Sequence, residues 1–519
     1  MDRVRGAVWA VLVACAAACT GGGGGAGGAS AGLGARVAAT QAKGLLVSAD
    51  GAWLAWLDGC VEVRGRFLPP GTSSCDLRAA AAGGGAPALV ARAVTSLPHG
   101  ASFAPEGRLL AALADYDYET GSGTLLLVKD GAAREVARGV TFHAFVPGEG
   151  TALLAVAGGK LLAVPAEGPP REVPGAEGVA SFDAAPAPWQ GRGVAVLARR
   201  PVSAGGGLLA LGPALDRARL VAAGTTDYGL APGDAWAFTA VTRSGSELHL
   251  GRGERASRLA GGARGFAFSG DGAALAWVSE AAPGKQGDLH VAPVGGAAAL
   301  LGREVGEHRW AARAARLAWL ERYDPRTRAG VLGAGGPGLA PRTFGRGVSD
   351  FELSPDGRQL AFLRHTSEGG YSVDLELAAV EGPPGAAPRK VARGVFGFAF
   401  APDGRWLYYR TRCTRQAEAC DLERVGVAGA AGAGPEELAR GVKSFEFDPR
   451  DPGRLLVTWQ RADLVALDLA VWRGGRLTAV DQGALPGSAR FLGPDSRRLA
   501  YAVVQPKRAG VYLAPLPAP

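Results

Sequence analysis

An all-β fold is what this 519-residue sequence predicts, and three observations predict it. Glycine (81 residues) and proline (34) are both abundant, and in a helix interior they cost about 1 and about 3 kcal/mol each, so a mostly helical chain is excluded. Hydrophobic residues make up 47% and charged residues only 20%, which leaves ample apolar surface to bury and excludes wholesale disorder. From residue 41 onward, short alternating apolar segments recur between turn residues, a strand pattern rather than a helical one.

The repeat is clearest in RGVSDFELSPDGRQLAFLRH (346–365) and RGVFGFAFAPDGRWLYYRTR (393–412), whose equivalent glycines, Gly357 and Gly404, are 47 residues apart. Weaker copies include ADGAWLAWL (49–57), FAPEGRLLAAL (103–113), FSGDGAALAWV (268–278) and FDPRDPGRLLVTW (447–459). Anchors at Gly51, Gly107, Gly150, Gly191, Gly233, Gly272, Arg313, Gly357, Gly404, Gly453 and Ser496 define eleven units. Each unit opens with an apolar segment and a Pro-Asp-Gly-like turn, which favours tight reversal, and a second apolar segment follows. After a polar stretch comes a third segment, such as SVDLELAAV (372–380), and a fourth, such as RKVAR (389–393). The expected unit is a four-stranded meander whose apolar faces need neighbours. Trp56, Trp277, Trp319 and Trp459 recur on the second segment and read as packing residues.

The runs Phe351-Glu352-Leu353-Ser354-Pro355-Asp356-Gly357 and Phe400-Ala401-Pro402-Asp403-Gly404 resemble the β-propeller repeat of TolB-like periplasmic proteins and of prolyl-oligopeptidase relatives. The resemblance implies a β-propeller. Eleven units exceed the usual four to eight blades of one ring, so two consecutive propellers are expected, 41–300 and 301–519, with an incomplete or terminal-strand-completed blade. It further implies a non-catalytic cell-envelope binding or scaffold protein whose partner is an envelope protein or peptide. The rival expectation is a propeller-centre enzyme acting on a glycan or peptide, or a ligand sensor.

Residues 1–19 read as a signal peptide, with Arg3 and Arg5 ahead of an apolar run too short to span a membrane. It resembles a lipoprotein signal, with Cys15 and Cys19 as alternative lipidation sites, and 20–40 as a Gly/Ala-rich tether. This implies a periplasm-facing or surface-exposed protein anchored by lipid in a bacterial envelope. The remaining cysteines form two close pairs, Cys60 with Cys75 and Cys413 with Cys420, read as disulfides of an oxidising compartment. The alternative is a four-thiolate metal site, whose usual spacing is absent.

Motifs of chemistry are sparse. There is no G-x-S-x-G elbow, phosphate-binding loop or H-E-x-x-H, and the six histidines lie far apart in sequence. No catalytic residue, metal or cofactor is assigned. The net charge of +8 is spread over the chain without a basic block, so nucleic acid is not an expected partner. Asp115-Tyr116-Asp117-Tyr118-Glu119 is the densest acidic cluster, either an oxygen-rich calcium site or a polar loop with aromatic contacts. Arg-Gly-Val recurs at 138–140, 346–348, 393–395 and 440–442. Arg346, Arg393 and Arg440 are candidate partner-binding residues, a positive collar for carboxylates. The alternative is repeat architecture, with glycine bending the chain and valine pointing inward.

Overall fold

The computed structural model describes residues 34–516, apart from 66–67, 106, 147–152, 186–192, 202–205, 244, 283–284, 366–372, 384–385, 415–418, 428–433, 461–465 and 494. Cys15, Cys19 and the anchors Gly150 and Gly191 lie outside the described residues. Within them the regular structure is entirely β. Four-stranded antiparallel sheets, each with its strands in sequence order, are built from 43–95, 181–222, 225–261 and 397–442. Residues 263–393 form a ten-stranded sheet, in effect three such units joined by long strands. In strand Ala299–Trp310, Val305 pairs with Gly287 on one side and Glu321 on the other. In strand Leu339–Leu353, Val348 pairs with Gly330 and with Arg364. The repeat read from the sequence is therefore a repeat of antiparallel, mostly four-stranded sheets, consistent with a propeller-like repeat architecture.

The chain packs as two compact units. Among the described residues, one comprises 34–144, Val164–Pro170 and 444–516; the other comprises Phe145–Ala163 and Arg171–Lys443. In the first, strand Ala35–Ala38 pairs antiparallel with Gly510–Pro515, so part of the stretch read as a tether is a strand completing the C-terminal sheet. Position 300, the expected division, falls inside strand Ala299–Trp310.

Alternation along a strand explains why the second segments are apolar throughout. In Gln359–His365, Leu360 and Phe362 pack into a core with Leu320 and Leu332 of the preceding repeat. Ala361 and Leu363 face the other way, into a core with Leu407 and Tyr409 of the following repeat. Both faces of the strand are buried between neighbouring sheets, and side chains of period two fill both. Trp56, Trp277 and Trp319 are buried in such cores, as their recurrence suggested.

The turn between first and second strands is built the same way in several repeats. The Ser48 hydroxyl donates to Asp50 Oδ1 (2.6 Å), Ala52 N–H donates to the same oxygen (2.9 Å), and Trp53 N–H donates to Ser48 Oγ (2.9 Å). Ser269 with Asp271 and Ser354 with Asp356 repeat this network. The glycine that follows lies at positive φ, 66° at Gly51, 70° at Gly272 and 71° at Gly357, where a side chain is disfavoured. Burial alone would raise the Asp50 carboxyl; Ser48, Ala52 N–H and Arg108 outweigh it and hold the group at about 2.

Candidate binding surface

Sequential antiparallel strands sort the connections of every repeat into two ends. First-to-second and third-to-fourth turns share one, the turn end; second-to-third loops share the other with the hinge that leads to the next repeat. At the hinges the Arg-Gly-Val motif has a geometric role. Gly139, Gly347, Gly394 and Gly441 have φ between 61° and 71°, and the valines after them, Val140, Val348, Val395 and Val442, are buried. The same bend recurs at Arg92-Ala93-Val94 and Arg303-Glu304-Val305, where Ala93 (φ 49°) and Glu304 (φ 50°) take the glycine's place. Those two arginines escaped the sequence reading because the middle residue changed; a search for Arg-x-Val at the repeat spacing finds them.

Arg346, Arg393 and Arg440 thus occupy one equivalent position in consecutive repeats of the second compact unit, and all three are exposed. Arg440 donates to its neighbour Glu437 (2.6 Å), as Arg138 does to Glu135 (2.7 Å) in the first compact unit. No carboxylate lies within ion-pair distance of Arg303, Arg346 or Arg393 among the described residues. Two residues past Gly394, Phe396 is 57% exposed, with the Arg410 guanidinium 5.4 Å from its ring centre.

An open cleft of about 400 Å³ lies beside Arg303. Its charged lining is mixed, with Lys285, Arg303 and Arg322 against Glu280, Asp288 and Glu304. Gln286 fixes one wall, its Nε2 donating to Tyr323 O (2.8 Å) and its Oε1 accepting from Tyr323 N–H (3.2 Å).

Adjacent first strands in the same compact unit carry a second polar group. Arg309 pairs with Asp350 (2.8 Å) and Glu307 (2.6 Å) and donates to Phe351 O (2.7 Å). Burial pushes the nearby Glu352 carboxyl up to about 7; Asp350 adds to the rise, while Phe400 N–H and Arg309 oppose it. Such a group holds or releases a proton near neutral pH.

In the first compact unit, the acidic-aromatic segment is a hydrogen-bonded turn with exposed carboxylates. Asp117 accepts from Glu119 N–H (2.8 Å) and from the Thr120 hydroxyl (2.8 Å), while Tyr116 and Tyr118 meet edge to face and Tyr118 donates to Ser73 O (2.8 Å). No metal-holding group of three or more His, Cys, Asp or Glu occurs among the described residues. Nearby His143 is buried with Nδ1 unpartnered, and burial, with a smaller contribution from His99, lowers it to about 4.

Both cysteine pairs are disulfides, Cys60–Cys75 and Cys413–Cys420, which removes the four-thiolate alternative. Each bridges a second strand, or the loop just after it, to the third strand or the loop before it, so both crosslinks pin hinge-end connections.

No protein-family model and no curated protein matches the chain. Solved structures do. A eukaryotic initiation factor is 10% identical with a TM-score of 0.40, over 69% of this chain and 96% of that one. A prolyl endopeptidase is 15% identical with a TM-score of 0.32, over 57% of this chain and 50% of that one. The tricorn protease is 14% identical with a TM-score of 0.25, over 92% of this chain and 57% of that one. Likenesses this distant carry no argument about what the chain does.

Proposed function

We propose that this chain is a non-catalytic binding protein of a bacterial cell envelope, built of propeller rings, that presents the hinge end of its repeats to a protein partner. The observation supporting this is the division between the ends. Many turn-end polar groups, Asp50, Asp271, Asp356 and Arg316 among them, are engaged within and between neighbouring turns, whereas the hinge end of the second compact unit carries Arg303, Arg346 and Arg393, exposed and without an ion-pair partner among the described residues, and the exposed ring of Phe396. Recognition on a repeat scaffold belongs to connections that are free to differ. Two disulfides fit an oxidising compartment, and the amino-terminal signal fits lipid attachment through Cys15 or Cys19.

Photo-crosslinking in the native envelope tests the reading. A crosslinker at Arg346 or Arg393 is expected to capture one partner strongly, and one at the turn-end positions Arg358 or Arg405 to capture little. Equal capture from both ends overturns the assignment. Mass analysis of the mature amino terminus checks the anchor, with cleavage away from both cysteines and no lipid counting against it.

A further inference from the structure

Phe396 is not demanded by the repeat. The equivalent positions, two past the hinge bend, are Gly306, Ser349 and Lys443 in the neighbouring repeats. Its backbone serves the fold, Phe396 N–H donating to Arg410 O (2.9 Å), but most of its ring faces outward. Arg410 is fixed behind it by donating to Lys443 O. The result is a rigidly backed apolar ring, with exposed Arg393 three residues before it along the chain and exposed Arg346 at the equivalent hinge one repeat earlier. Aromatic rings and arginines are the residue types that carry most energy in protein interfaces, and a guanidinium without an internal partner has its fork available for a carboxylate.

We propose that Phe396, Arg393 and Arg346 form the docking surface for an acidic peptide segment, whose carboxylates pair with the two arginines while one aromatic or aliphatic side chain packs on Phe396. This rests on the hinge end being the binding end and names the chemistry of what it binds. Charge complementarity selects an acidic segment, and the exposed ring selects one with an apolar anchor.

The test uses the full chain and a fluorescein-labelled peptide, Glu-Asp-Glu-Trp-Glu-Asp-Glu, followed by fluorescence anisotropy. Saturable, salt-sensitive binding is expected, weakened about tenfold by Phe396→Ser and by Arg393→Ser, the loss of a single interface anchor. Arg358→Ser and Arg405→Ser at the turn end are expected to leave it unchanged. A peptide with glycine in place of tryptophan is expected to bind about tenfold more weakly to the unsubstituted chain and to be indifferent to Phe396→Ser. Absence of binding, or equal affinity of the two peptides, overturns the proposal. So does self-association of the chain abolished by Phe396→Ser, which would assign the surface to a second copy. Unchanged thermal unfolding of Phe396→Ser separates lost contact from lost fold. If the peptide fails while crosslinks from Arg346 to a native partner persist, this inference falls and the binding reading stands.

Discussion

At the turn end, Ser48, Ser269 and Ser354 each hold an aspartate carboxylate two residues on, and the bonds continue from one repeat to the next. Arg108 pairs with Asp50 (2.6 Å), Arg313 N–H donates to Pro355 O (2.9 Å), and Arg316 pairs with Glu381 (2.8 Å). At the hinge end the backbone bend is equally regular, but Arg346 and Arg393 are exposed, with no carboxylate in ion-pair distance among the described residues. The difference separates what each repetition does for the fold. Repeated Ser-x-Asp-Gly satisfies its own polar groups and stitches sheets together, so substitution there is expected to change stability. Repeated Arg-Gly-Val uses the glycine for the bend and the valine for the core, and substitution of the exposed Arg346 or Arg393 is expected to leave stability nearly unchanged.

The sharpest way to break this comparison is the buried knot at the turn end of the first compact unit. Arg454 and Asp448 are both buried, paired at 3.3 Å, and Ser496 of the next repeat donates to Asp448 (2.9 Å). Asp448→Ala leaves the buried Arg454 guanidinium with only the longer pairing to Asp451 (3.7 Å) and the Ser496 carbonyl, expected to cost about 3–4 kcal/mol in chemical denaturation, with peptide binding by the folded fraction unchanged. Lost binding without lost stability would mean that the turn end recognises the partner. Second in size is the hinge-end crosslink Cys60–Cys75, whose 15-residue separation corresponds to about 3 kcal/mol in the chain-entropy model. Replacing both cysteines by serine is expected to lower the denaturation midpoint by that order, and a reducing agent is expected to do the same to the unsubstituted chain.

Much of this was legible in the sequence because the repeat makes each unit a check on the others. Gly357 and Gly404 announced the turn, and the cysteine pairs stood close enough to join. What stayed hidden depended on residues that vary between repeats. Ala93 and Glu304 take the hinge conformation under strain, so glycine matching missed them. Phe396 looks like another core residue in an alternating run, and only the bend at Gly394 turns it outward. Strand Ala35–Ala38 was hidden by composition, since its pairing partner lies at the far end of the chain and nothing local demands a strand.

The hinge bend itself gives a smaller effect. Gly347 lies at φ 71°, and a Cβ there would meet only His365 O at 3.8 Å, so Gly347→Ala introduces backbone strain and little collision. Its expected cost is about 1–2 kcal/mol, and Glu304→Gly is expected to gain about 1 kcal/mol by relieving the same strain, both read from denaturation curves. If Glu304→Gly destabilised the chain, the Glu304 side chain at the cleft would be contributing more than the backbone loses.

The smallest effect is at a turn in which the repeat lacks its serine. Asp403 accepts Arg405 N–H (3.0 Å) and Gly404 N–H donates to Ala401 O (2.8 Å), as in the other turns, but Ala401 has no hydroxyl to complete the network. Ala401→Ser supplies a donor for Asp403 and an acceptor for Trp406 N–H, the pairing that Ser354 makes with Asp356 and Gln359. One added hydrogen bond is worth about 1 kcal/mol, and Ala401 is fully buried, so desolvation of the hydroxyl offsets part of it. The expected gain is therefore about 0.5 kcal/mol, with peptide affinity unchanged. A loss instead would mean that this turn packs too tightly for one more oxygen, and that the repeat drops its serine here because the neighbouring Arg313, which donates to Pro402 O, already fixes the turn from the adjacent sheet.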